Sequence, residues 1–240
     1  MLKKILFFIL FCQIFLISDT ISNHYQTEIK TVNQDVITVQ NNRNIALGST
    51  GIVLHQFDAE HQTIIARVQV ISKTNDTMKL KLSKYLGVKQ DALPNYSITP
   101  KVGDKVILNF LYNRALAIVP NLNSYKMVTR SYNNIIWIHP DIFAAQLSID
   151  YTPKPTKKEF QKICSSENIG LLLFHIDQTG YFVDCNSFMV INKIPLPQTG
   201  DMQLPFYTRI QNIKSRFSIF GGAKGITNYN GYYKKLLGIK

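Results

Sequence analysis

From Glu28 to Pro120 apolar and polar side chains alternate with a period of two, segment after segment, and that alternation decides most of what the chain can become. Met78-Lys79-Leu80-Lys81-Leu82 is the clearest stretch, with Met78, Leu80 and Leu82 on one side and both lysines on the other. Successive residues of a strand point to opposite faces, so such a segment predicts a strand with one face in a core and the other in water. Asp35 to Val39, Gly51 to His55 and Thr63 to Ile71 read as strands too, and Lys105 to Tyr112, then Ala115 to Val119, continue the series. Asp58-Ala59-Glu60-His61, Thr74-Asn75-Asp76-Thr77 and Asn113-Arg114 supply turns between them. Short antiparallel strands at regular spacing predict a small β-rich barrel or sandwich over residues 23–120.

Beyond Pro120 the period lengthens. Leu122 to Tyr132 predicts a short helix and Ile135 to Ile138 a strand. His139-Pro140-Asp141 breaks that strand and would place Asp141 as the cap of a helix over Ile142 to Ser148. Thr156 and Glu159 have capping-box spacing, ahead of a helix with Phe160, Ile163 and Cys164 on one face. Gly170 admits a strand to Ile176, which Gln178-Thr179-Gly180 returns through Tyr181 to Cys185. Residues 121–197 therefore read as a small α/β unit, and the fold class of the whole is α+β.

Pro195, Pro197, Gly200 and Pro205 predict a linker within residues 198–240. From Phe206 to Lys240 the chain carries seven Lys or Arg and no Asp or Glu, with Phe and Tyr residues threaded among the charges. That much apolar mass predicts a segment docked on the body rather than a free tail. Gly221 to Gly225 matches an anion loop only loosely and reads as a flexible turn.

The N-terminus is of another kind. Lys3 and Lys4 precede an apolar run from Ile5 to Ile17, closed by Ser18, Asp19, Thr20, Ile21 and Ser22. The run is shorter than the roughly 18 to 20 residues of a spanning helix, so residues 1–22 predict a signal peptide cleaved before Asn23, and no integral membrane span follows. The chain is thus expected to be exported, to the periplasm, the outer surface or the medium. Its net charge is +12, and +11 once Lys3, Lys4 and Asp19 have left. A surface that positive favours acidic partners. Only Cys164 and Cys185 remain after cleavage, a disulfide candidate in an exported chain, with two unpaired buried thiols as the alternative.

No catalytic or metal-binding motif with a recognised spacing is present, whether H-E-x-x-H, C-x-x-C, G-x-S-x-G or a phosphate-cradling glycine loop. His139, beside Pro140 and Asp141, has the most suggestive setting of the five histidines, and a helix-start residue filling a hydrogen bond is the plainer reading. The expectation is a binding protein rather than an enzyme, without cofactor or metal, and with no nucleic-acid partner because it is exported.

Four segments, residues 48–70 (GSTGIVLHQFDAEHQTIIARVQV), 90–121, 135–148 (IIWIHPDIFAAQLS) and 229–240 (YNGYYKKLLGIK), resemble in consistent order the N-terminal domain of the bacterial plasminogen-binding protein family. The resemblance implies a surface-associated protein of a host-colonising bacterium that captures host plasminogen by offering lysines to kringle lysine sites. Here that role would fall to Lys240 first, whose ammonium and carboxylate suit such a site, with Lys235 and Lys234 behind it. Relatives can extend beyond this domain, so their binding lysines could lie elsewhere. The alternative from another class is a structural or assembly protein of the envelope, whose β domain pairs with other envelope proteins.

Overall fold

A computed structural model describes residues 21–85, 98–198, 200–210, 213 and 225–239. The segments read as the signal h-region and as the turn at 221–224 lie outside them, as does Lys240.

The alternating N-terminal half forms β1 (Tyr25–Glu28), β2 (Thr31–Asn33), β3 (Val36–Gln40), β4 (Thr50–Gln56), β5 (Gln62–Lys73), β6 (Thr77–Ser83) and β7 (Lys105–Leu108). They make one antiparallel sheet in the order β1-β7-β4-β5-β6-β3-β2. Its two edge strands are consecutive in sequence, separated only by Ile29 and Lys30. Such a sheet has to curl until its edges meet. Ile29 N donates to Asp104 O at 3.0 Å on one side and Lys30 N to Thr38 O at 2.8 Å on the other. Inside the curl lie Ile37, Val39, Val53, Val68, Val70, Met78, Leu80, Val106 and Leu108, all inaccessible to solvent, while Lys79 and Lys81 stand outside. Gly51 allows β4 to approach β7: a Cβ there would lie 2.2 Å from Ile107 O.

The second sheet, in the order β12-β11-β10-β8-β9, contains β8 (Arg114–Ile118), β9 (Ile136–Ile138), β10 (Leu171–Ile176), β11 (Thr179–Asp184) and β12 (Val190–Pro195). Strands β9, β8 and β10 run parallel, and β11 and β12 are antiparallel to their neighbours. Parallel strands need crossovers, and those helices cover both faces. Here α1 (Leu122–Ser131) lies on one face, where its Val128 joins Leu171 and Leu173. On the other face α2 (Pro140–Ile149), α3 (Lys157–Ser166) and α4 (Tyr229–Leu237) bring Phe143, Phe160, Tyr229 and Tyr233 onto Leu172, Phe174 and Ile176. All six residues of β10 are buried as a result.

Four expectations change. The strand Arg114–Ile118, expected among the barrel strands, is central in the second sheet, because Ala115, Leu116, Ala117 and Ile118 are apolar on both faces and suit a covered sheet. The cap of α2 is His139, whose Nδ1 accepts from Asp141 N at 3.2 Å, whereas Asp141 lies in the first turn. The hairpin β10–β11 turns at Asp177-Gln178, since Ile176 already pairs with Thr179. The proline-marked stretch begins inside a strand, since Pro195 ends Val190–Pro195, which pairs with β11; the docking expected of the segment from Phe206 onward is present, with Phe206 fully buried and stacked on Phe143 at 5.4 Å. The capping box of Thr156 and Glu159 is present at the start of α3.

Asp184 joins the two sheets. Fully buried, it accepts from Thr50 Oγ1 at 2.6 Å, Thr50 N at 3.2 Å and Tyr112 Oη at 2.8 Å through Oδ2, and from Asn186 N and Ser187 N through Oδ1. Next to it Cys185 is disulfide-bonded to Cys164 of α3, with Cα atoms 5.9 Å apart. Gln161 of α3 also donates to Asn186 O at 2.7 Å.

Candidate functional site

The basic aromatic end of the chain folds as α4, and its sequence explains how. Asn228 caps it by accepting from Gly231 N at 2.9 Å. Gly238 ends it at φ 66°, so that Ile239 N reaches Lys234 O at 3.0 Å and Gly238 N reaches Lys235 O at 3.2 Å. That pair of bonds is a Schellman motif, which glycine reaches without a Cβ penalty.

Tyr229 and Tyr233, four residues apart on one face, anchor the helix. Tyr229 Oη donates to Ile118 O at 2.8 Å and Tyr233 Oη to Pro205 O at 2.9 Å. Burial drives both phenols well above their ordinary range, so they remain neutral donors. Tyr232, half-buried, donates to Pro155 O at 2.7 Å, and Lys154 Nζ lies 5.3 Å from its ring centre.

The two described lysines of the helix differ. Lys234 Nζ meets Asp177 Oδ2 at 2.6 Å, and that hydrogen bond, then the carboxylate's charge, raises the ammonium's pKa. Lys235 is exposed and has no carboxylate partner among the described residues. Both occupy the last turn, where cations suit the negative end of the helix dipole. Lys240 falls just past the described end.

Among the described residues no nucleophilic side chain is paired with His139. Burial lowers its pKa, Asp141's charge acts the other way, and Arg209 adds to the lowering. An ion pair with Asp141 Oδ2 at 3.4 Å would require a protonated ring, whereas capping Asp141 N through Nδ1 requires a neutral one. The lowered pKa favours the cap. Asp141 itself binds Thr208 Oγ1 at 2.7 Å, Arg209 N at 2.8 Å and Arg209 Nε at 2.6 Å. Burial alone would raise this carboxyl, but those three bonds outweigh it and lower it. A cleft of about 390 Å³ near this latch is lined by Pro153, Leu204, Pro205, Ile210 and Ile226, with no titratable side chain among its described residues. No group of three or more His, Cys, Asp or Glu among the described residues is placed to hold a metal ion.

The structure therefore brings Lys234 and Lys235 onto one rigid helix and ties one of them down. Sequence reasoning missed Asp177, Lys154 and Asp184, since each acquires its role from residues far away in the chain.

Fold and surface together define an α+β module ending in a cationic, aromatic helix locked onto its second sheet. Residues 24–237 match the family described as plasminogen-binding protein pgbA N-terminal, and the chain belongs to that family. Two curated relatives from strains of Helicobacter pylori, each named plasminogen-binding protein PgbA, are 24% identical over 198 residues. The match takes in 81% of this chain and 43% of each relative, so the chain spans less than half the length of those proteins.

Proposed function

We propose that this chain is an exported bacterial module that binds host plasminogen without catalysis, by presenting lysines to kringle lysine sites at the end of α4. The family membership supports the partner. The observation that carries the lysine reading is the docked helix: Tyr229 and Tyr233 fix it to the core while Lys235 stays exposed in its last turn, with no carboxylate partner among the described residues. A fixed backbone lowers the ordering cost of engaging a partner. Lys240 is the first lysine in this reading, Lys235 the second, and Lys234 the third because Asp177 already holds it.

The test is binding of the purified chain to immobilised plasminogen at physiological salt. Removal of Lys240 and Lys235→Ala are each expected to weaken binding about tenfold, the scale of a lost charge-assisted contact, and a free lysine analogue should compete. Binding untouched by the analogue and by both changes would reject the lysine mechanism.

A further inference from the structure

We propose that Lys154 and Lys235, connected through Tyr232, form one two-cation surface that docks an acidic protein face, so that the partner is held at a second anionic point. This inference rests on the plasminogen reading and adds a residue to it from a different part of the chain.

Lys154 belongs to the loop between α2 and α3, far before α4 in the chain, and Tyr232 brings the two together. Its hydroxyl donates to Pro155 O at 2.7 Å and its ring sits 5.3 Å from Lys154 Nζ. Lys235 follows Tyr232 by three residues, which places both on neighbouring positions of the same helical surface.

Three other cations of this unit have contacts of their own. Lys162 pairs with Asp150 at 2.6 Å and Lys234 with Asp177 at 2.6 Å, while Lys157 lies 5.5 Å from the Phe188 ring and reaches Ser187 O. Lys154 and Lys235 are exposed and have no carboxylate partner among the described residues. Glu159, the carboxylate whose charge bears on Tyr232, is occupied by Thr156 N at 2.8 Å and Thr156 Oγ1 at 2.5 Å in the capping box.

Contact with the ring holds the Lys154 ammonium in place without neutralising it. A flexible side chain already held loses less freedom when it binds, which is the advantage of this site over an isolated surface lysine. Two positive centres on one surface also select a partner with two negative ones, where a single lysine would accept any suitable anion.

The experiment compares Lys154→Ala, Lys154→Arg, Lys235→Ala, the double alanine variant and Lys79→Ala on the same plasminogen surface. Lys79→Ala, on the solvent face of β6, removes the same charge far from α4 in the sequence and controls for diffuse attraction. Expected are a rise in Kd of roughly tenfold for Lys235→Ala and roughly fivefold for Lys154→Ala, a larger rise for the double variant, and near-normal binding for Lys154→Arg and Lys79→Ala. Melting curves superimposable on the unaltered chain would show that the variants fold. If Lys154→Ala behaves like Lys79→Ala while Lys235→Ala weakens binding, the two-cation surface is wrong and the single-lysine reading stands. If the unaltered chain does not bind plasminogen, both fall together.

Discussion

Asp184 shows how much one side chain can hold. It is the common acceptor for Thr50, Tyr112, Asn186 and Ser187, and it connects the curled sheet to the layered one. Replacing it with alanine leaves several buried donors without an acceptor, each costing on the order of 1–3 kcal/mol. Asp184→Ala is therefore expected to lose at least about 3 kcal/mol in urea unfolding, and Asp184→Asn less because one oxygen remains. A loss under about 1 kcal/mol would mean that water replaces the carboxylate freely. At His175 the consequence is pH dependence. Its Nε2 lies 3.0 Å from Leu196 O and its ring is 1% exposed, and burial holds its pKa below the ordinary 6.5. His139 is shifted in the same direction. Near pH 6 the unfolded chain then binds more protons than the folded one, so stability rises with pH in that range. Stability from both rings is complete above about pH 6.5 and is lost as pH falls through their depressed folded values. The melting temperature should drop between about pH 7.5 and 5.5, and less steeply in His175→Gln; equal slopes would exclude His175 as the cause.

Among the elements, α3 and α4 carry the argument. The disulfide Cys164–Cys185 closes a loop of 21 residues between α3 and the end of β11. Restricting the unfolded chain that much stabilises by about 3 kcal/mol. Replacing both cysteines with serine should lower urea stability by about that amount and leave plasminogen binding intact at moderate temperature. Loss of binding without unfolding would instead tie the staple to the site. In α4 the sequence shows basic residues mixed with aromatics, and only the docked helix separates their tasks. Tyr229 and Tyr233 go inward, Tyr232 goes sideways to Lys154, Lys234 goes to Asp177, and Lys235 remains outside.

At the scale of the whole molecule the two halves solve the same problem differently. The first half has one-sided strands, so it needs a closed interior, and the bend at Ile29-Lys30 closes it by letting one segment serve both edges. In the second half β8 and β10 are apolar on both faces, so they need helices on both sides, and the last of these, α4, carries Lys234 and Lys235.

The sequence by itself determined the elements and the class. Period-two alternation, capping residues and turn residues act within a few positions, and so β3 to β7 of the first sheet, the helix beginning at Leu122, the capping box at Thr156 and the α+β outcome are legible from local chemistry, whereas the edge strands β1 and β2 are not. Only the tertiary structure decided that Arg114–Ile118 belongs to the second sheet, that Asp184 bridges the halves, and that Lys234 is paired while Lys235 is not. Those outcomes depend on residues from 53 to 134 positions apart meeting in space, as Asp177 meets α4 through Asn230 and Thr50 meets Asp184. Neither a charge nor an apolar side chain records in its local sequence which distant partner the packed core will bring to it.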